Sequence, residues 1–333
     1  PASSGAENGA TAYNVDLDTD GFTVPASNIE LNGSGDTYIY MAFKENPTPY
    51  PLAGNMSFLV VAGGASGGRQ NAGGGGGGGL RTSYGGSSGG GSSAESDITL
   101  AAGTYTITVG AGGAALTTNG VGNNGVDSSI AASGLTTITS VGGGGGYGFT
   151  YSFNNANSGG SGGGAGTTGS NSASGFGSGT ANQGFDGGAR NATANTYAGG
   201  GGGGASAAGQ ASTSQEDGGD GGAGLAVSIT GASVSYAGGG GGGGNTSAGS
   251  GGAGGGTAGG VASGAVSDAT ANTGGGSGGT RNNVTAGSGG SGVVILRLLT
   301  SEYSSSTTGS PTVTTDGDYT VLTYTGSGTY VHS

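Results

Sequence analysis

The chain has 333 residues, of which 91 are glycine, about 27% against roughly 7% in ordinary proteins. Leu, Ile, Val and Phe together supply only about 14% of it, below the roughly 20% a conventional apolar core requires. Charged residues are 7% and the net charge is −12, so electrostatic binding to nucleic acid or to an anionic bilayer is excluded as a function class.

The first stretch, residues 1–57, reads as an N-terminal β domain. Tyr13, Val15 and Leu17 alternate with polar residues, the period of a half-buried strand. Asp20-Gly21 signals a turn before Phe22-Thr23-Val24. Thr37 to Lys44 (TYIYMAFK) predicts a further strand, and the prolines between Asn46 and Pro51 predict a linker. Asp16, Asp18 and Asp20 with Gly21 match the first half of a calcium-binding loop. The twelfth position holds Ser27 instead of a bidentate glutamate, so the favoured expectation is a solvated strand and turn, with calcium as the alternative. No other cofactor is expected.

Residues 58–299 form the glycine-rich domain. It opens on Phe58 to Val61 and closes on Val293 to Leu296, two short, wholly apolar, β-branched runs of the kind buried on both faces. These two are expected to pair and to bring the domain's ends together. Short strands are also predicted over 104–109, 136–141 and 226–235. Between them lie unbroken glycine runs at 73–79, 142–146, 199–204 and 238–244. Such runs can be linkers, phosphate loops or polyglycine II helices. The last is an extended helix with three residues per turn whose N–H and C=O groups bond laterally to neighbours. Recurrence of runs of similar length favours a polyglycine II bundle, or sandwich, edged by short strands, with Gly76, Gly144, Gly201 and Gly241 as lattice positions. A phosphate loop is disfavoured because no lysine follows a glycine run. Tyr197-Ala198 and Tyr236-Ala237 each precede a glycine run, a local duplication at a spacing of 39 residues.

Residues 300–333 predict a C-terminal β-hairpin segment, with Thr312 to Thr314, the turn Asp316-Gly317, Tyr319 to Thr325 and a last strand at Thr329 to Val331. No helical stripe occurs, so the expected fold is mostly β and irregular with essentially no α-helix.

Chemistry is sparse. Cysteine is absent, and the single histidine, His332, is penultimate. Serines therefore lack an obvious activating base, and no zinc-ligand cluster is present. Glu30, Glu45, Glu95, Glu216 and Glu302 are scattered, so a glycosidase pair would have to be assembled by the fold alone. No apolar run approaches the ~20 residues of a membrane span. The chain starts at Pro1, as a processed or truncated product would. Five glycosylation sequons, at Asn32, Asn55, Asn191, Asn245 and Asn283, match chance expectation. One segment stands out: Tyr147, Phe149, Tyr151 and Phe153 followed by Asn154 and Asn155 leave a glycine run. It reads either as a structural cap or as a tip loop that stacks on sugars.

The blocks FLVVAGGASGG (58–68), TYTITVGAGG (104–113), SVSYAGGGGGGG (233–244) and GGSGVVILR (289–297), with the flanks 35–44 and 310–331, resemble the glycine-rich domain of phage tail-fibre-like proteins. The chain is also similar to T-even-type tail-tip adhesins. That resemblance implies a polyglycine II sandwich with receptor loops between its glycine runs. The expected function is a non-enzymatic structural and adhesive fibre subunit, outside the cell or on a virion, whose partners are further copies of itself and a cell-surface glycan or protein receptor. The alternative is a secreted filament or matrix subunit joined by exchange of terminal strands.

Overall fold

Every backbone amide of a glycine-rich segment still needs a partner, and the computed structural model of the chain shows where they go. It describes residues 16–18, 21–23, 54–149, 155–167, 175–191, 197–262 and 264–333, the first two segments as backbone. The chain divides into two compact units, Pro1–Thr48 and Pro49–Ser333. In the first, β1 (Asp16–Asp18) pairs antiparallel with β2 (Gly21–Thr23), with Asp18 opposite Gly21. The strand expected at 37–44 lies outside the described residues.

In the second unit, β3 (Asn55–Val61) pairs antiparallel with β11 (Val293–Leu299), Val61 opposite Val293 and Phe58 opposite Leu296. The two apolar runs thus close the glycine-rich segment on itself. They are central strands of a six-stranded sheet. β14 (Tyr319–Tyr324) and β13 (Thr312–Asp316) extend it on one side, and β4 (Leu80–Thr82) and β5 (Ile98–Thr99) both pair with β3. A second, five-stranded sheet runs β12 (Ser306–Thr308), β15 (Gly328–His332), β6 (Gly103–Thr108), β7 (Ser128–Ala131), β8 (Ile138–Ser140). The segment 226–235, expected as one strand, is a hairpin of β9 (Leu225–Val227) and β10 (Val234–Tyr236). Among the described residues there is no α-helix, only single 3₁₀ turns at Gly89–Gly91 and Thr300–Glu302.

Alternation along β3 and β11 explains why both are apolar throughout. Met56, Phe58 and Val60, with Val294, Leu296 and Leu298, face Tyr105, Ile107, Ile130 and Tyr330 of the second sheet. Leu59, Val61, Val293 and Ile295 face Val227, Ile229 and Tyr236 of the hairpin. Residues 300–333 are therefore not a separable segment. β13 and β14 complete one sheet and β15 the other, so the C-terminal strands are part of the core.

The glycine runs form a lattice beyond the sheets. The run 73–79 shows its rule. Gly74 and Gly77 donate to Gly200 and Gly203, Gly75 and Gly78 to Ser277 and Gly274, and Gly76 and Gly79 to Gly144 and Val141. Its carbonyls accept in the same rhythm: Gly74 and Gly77 from Gly164 and Ser161, Gly76 and Gly79 from Ala65 and Ala62, and Gly75 from Gly240. Partners recur every third residue, so the run bonds to three neighbours by donation and three by acceptance. A chain that repeats every three residues generates this pattern. A Cβ obeys the same period: at Gly74 and Gly77 it would meet Gly240 O at 2.0 Å and Ala237 O at 2.4 Å. Of the four predicted lattice positions, Gly76 donates directly to Gly144, and all four are buried.

Outer rods follow a different rule. In the rod 217–224, Asp217, Asp220 and Ala223 recur every third residue, and the glycines between them face neighbours. Asp220 accepts from the Ser250 amide at 2.7 Å, Asp268 from Ser288 at 2.7 Å, Asp186 from Gly179 at 2.8 Å and Asp127 from Gly142 at 2.8 Å. Four of the chain's 18 acidic residues therefore accept from backbone amides of neighbouring segments.

These contacts give stability a plateau in pH. Hydrogen bonds from Ser288 hold the Asp268 carboxyl below its ordinary value. That contribution is present above the unfolded value, near 4, and disappears as pH falls through the folded one. Burial pushes the phenols of Tyr236, Tyr324 and Tyr330 above theirs. Their protonated forms fit the fold, so stability holds below about 10 and falls as pH rises beyond it. Urea melts from pH 2 to 11.5 should show a flat midpoint between about 4.5 and 9.5 with losses on both sides. A midpoint still rising at pH 10.5 contradicts the assignment.

Candidate functional site

The rods alternate in direction, and this sorts their connections onto two ends. The rod 62–68 leaves β3, turns at Arg69 to Asn71, and 73–79 returns to β4. Seven residues at three per turn span about 22 Å, so that turn stands well away from the sheets. Gln70 and Asn71 have φ of +68° and +48°, a left-handed turn for which asparagine is suited. Hydrogen bonds join further reversals to this one. Arg69 donates to Gly120 O, Phe149 to Arg69 and Gln70, Asn71 to Arg281 O, and Thr167 to Asn71 O, while Tyr197 donates to Gln215 O of another reversal.

The side chains at this loop face are polar, cationic and aromatic. Arg69 donates through Nε to Val284 O at 2.9 Å, through Nη1 to Asn119 Oδ1 at 3.1 Å, and through Nη2 to Asn283 O. Arg281 Nη1 donates to Asn71 Oδ1 at 2.5 Å and Asn282 Oδ1 at 3.1 Å. Its guanidinium lies 4.4 Å from the Tyr197 ring centroid, in cation–π range. Burial holds Arg281 below its ordinary pKa, while Tyr197 and Glu216 act in the other direction. Asn245 Nδ2 donates to Glu216. Phe176 and Tyr197, 41% and 37% exposed, both stand where a rod meets this end.

The structure separates the predicted tip residues. Tyr147 is fully buried: its amide donates to Gly164 and its carbonyl accepts from Gly73, and its ring lies beside Gly166. It is a packing residue of the lattice end, not a surface contact. Phe149 is half-buried at the Arg69 turn. Asn155 is exposed, and its Oδ1 accepts from the Gly175 amide at 3.0 Å. Tyr151, Phe153 and Asn154 lie outside the described residues. Asp16 and Asp18 sit on an extended, paired strand, as in the strand-and-turn expectation, and Asp20 is outside the described residues. Among the described residues no three acidic or histidine side chains gather as a metal site would require.

Sequence reading gave Phe176 and Arg281 no role and took Tyr197 only as a repeat marker. The two Tyr-Ala-Gly blocks look alike but run in opposite directions, since Gly199, Gly202 and Ala205 donate to Gly243, Gly240 and Ala237. Tyr236 therefore joins the core at the sheet end, and Tyr197 emerges on the loop face. The usable signal was position: an aromatic at the start of a rod whose other end enters the sheets.

At the sheet end a cleft of about 660 Å³ opens between the two sheets, lined by Phe58, Ile98, Tyr105 and Leu135 with Arg81 and Glu95 at its rim. Both Glu95 oxygens are engaged by Arg81, at 2.8 and 2.6 Å.

Fold and site together define a glycine-lattice β protein, with a packed sheet end and a polar loop end. The chain belongs to the glycine-rich domain family, whose model matches residues 45–299. Residues 1–47 match a domain of unknown function (DUF7483), so the family boundary falls beside the division at Thr48. No curated protein matches the chain.

Proposed function

We propose that this protein is a non-enzymatic structural and adhesive subunit of a phage-like virion appendage or extracellular fibre, and that the loop face is its attachment surface. The observation that carries this reading is the position of Phe176 and Tyr197, the exposed aromatics among the described residues, at the end of the lattice remote from the sheets. Half-exposed aromatics among Asn and Arg suit polar, wet recognition of a glycan or protein receptor. A lattice bonded on all sides is a stiff mount for such a face, since sites on rigid elements are held more precisely. The resemblance of its blocks to phage tail-fibre-like and tail-tip proteins points the same way. In this reading the protein works outside the cell or on a virion, with itself and a cell-surface receptor as partners and no nucleic acid or inserted membrane.

A second reading, a self-assembling filament, draws on β13. This strand is the edge of its sheet, residues Thr312 to Thr315 are exposed, and Val313 is 44% exposed, so a neighbouring copy could add a strand. Beads coated with the intact protein should adhere to target cells, and Tyr197→Ala with Phe176→Ala should reduce adhesion at least tenfold while leaving the melting temperature within a few degrees. Undiminished adhesion in the double variant overturns the assignment of the face. Long periodic filaments in a concentration series by electron microscopy favour the second reading.

A further inference from the structure

The two stacked sheets are finished differently on their two sides. On one side β4 lies against β8, and both strands are capped. Leu80 donates to Gln183 O at 3.0 Å, Thr82 donates to Ser88 Oγ at 3.1 Å, and Thr82 O accepts from the Glu95 amide at 2.9 Å. Thr139 O of β8 accepts from the side chains of Arg81 and Gln183, each at 3.3 Å. On the other side stand β12 and β13, consecutive in the chain and each the last strand of its sheet.

β13 is an unprotected edge. It pairs with β14 without a bulge from Thr312 to Asp316. The hairpin closes on Asp316 and Tyr319, so the alternate residues Val313 and Thr315 turn their N–H and C=O groups away from β14. Among the described residues no backbone hydrogen bond reaches those outward groups. Edge strands are ordinarily guarded by lysines, internal prolines, bulges or covering loops. Here Pro311 only precedes the strand. Residues 303–315 carry no charge on a chain of net charge −12, and the strand's one carboxylate, Asp316, is turned to Arg297 at 2.8 Å. Two copies of this acidic molecule therefore meet least repulsion here, along a strand of Thr and Val that favours pairing.

We propose that the protein forms a two-fold dimer in which β13 pairs antiparallel with β13 of a second copy, making one sheet continuous through both. With the opposite side capped, each molecule offers one free side, so the pairing closes on itself and does not propagate into a filament. This goes beyond the attachment reading and does not depend on it. The register that satisfies the most backbone groups places Thr314 on the axis. Val313 of each copy then exchanges N–H and C=O with Thr315 of the other. Thr314 meets its own counterpart in a non-hydrogen-bonded pair, with Cα atoms about 4.5 Å apart.

The chain has no cysteine, so Thr314→Cys places a single thiol on the axis, at a spacing a disulfide spans. Mild oxidation of the full chain at about 100 µM should give disulfide dimers at least tenfold faster than Ser133→Cys, an exposed site between β7 and β8 on the capped side. Sedimentation of the unmodified protein should show a mass that rises reversibly with concentration from one chain to two and stops there. Val313→Lys with Thr315→Lys sets like charges opposite each other and should weaken the dimer at least tenfold, with the melting temperature within a few degrees. Equal oxidation of the two cysteine variants, a monomer at every concentration up to about 200 µM, a mass that passes two chains, or a dimer that survives the lysines overturns the proposal. Bead adhesion reads the loop face separately, so a monomeric lysine variant that still adheres to cells leaves the attachment reading standing.

Discussion

Gly241→Val should abolish the cooperative unfolding transition of the second unit. A Cβ at this position would lie 2.0 Å from Gly249 O and 2.5 Å from its carbonyl carbon. Real Cβ atoms do not approach backbone this closely, and a carbonyl inside a lattice has no rotamer through which to move away. Relief requires the rod to shift. Gly241 donates to Thr257 at 2.9 Å and accepts from Gly279 at 2.9 Å, so a shift strips bonds on two further sides. Overpacking an ordinary core costs about 1–3 kcal/mol because side chains adjust. Here the clash is backbone on backbone, and more than about 5 kcal/mol is expected, which is comparable to the whole stability of many domains. Alanine should suffice, since the first carbon already collides. The control is Gly326→Ala, at a site with nothing within 4 Å of the added carbon, where a change within about 0.5 kcal/mol is expected. Calorimetry of the three proteins decides it. A Gly241→Ala protein that melts like the control would mean that the run is a pliable linker.

Asp316→Ala should destabilise the protein by about 3 kcal/mol, and Arg297→Met should cost less, although it removes a larger side chain. Arg297 is 1% exposed in the middle of the apolar run that closes the glycine-rich segment. It faces the β9–β10 hairpin, donates to Ile229 O at 3.1 Å, and meets the Asp316 carboxylate at 2.8 Å. The Tyr319 and Tyr84 rings lie 4.5 and 5.5 Å from it. Removing Asp316 leaves a buried cation without its counter-ion, the costly way to break such a pair. Methionine keeps most of the stem's packing and removes the charge that needed compensation. The half-exposed side chain of Asp316 places the first loss at the low end of the range for buried pairs. Urea denaturation of the two single variants and the double variant measures both effects. The model of the pair fails if Arg297→Met proves the more damaging single change.

The sequence alone determined the elements that depend on local pattern. A wholly apolar β-branched run is a strand buried on both faces, so 58–61 and 293–296 could be read as partners before their pairing was seen. Turn residues marked the hairpin at Asp316-Gly317. The absence of a 3.6-residue stripe ruled out helices, and the long runs named glycines that are indeed buried in the lattice. What a glycine run touches was not legible, because glycine carries no side chain to encode a neighbour. Gly76 and Gly201 look the same in sequence, and only closure of the whole lattice decides that the first bonds to Gly144 and that the second bonds to Gln210. The direction of each rod was hidden for the same reason. That direction buried Tyr147, which had looked like a tip residue, and exposed Tyr197, which had looked like a repeat marker. Arg297 follows directly on the apolar run 293–296, and its solvation by Asp316, a backbone carbonyl and two aromatic rings exists only once β11, β13 and the hairpin are brought together. Pattern fixes which residues are extended and which are buried, whereas neighbours far apart in the chain, chosen by backbone hydrogen bonds, decide which end of the lattice faces a partner.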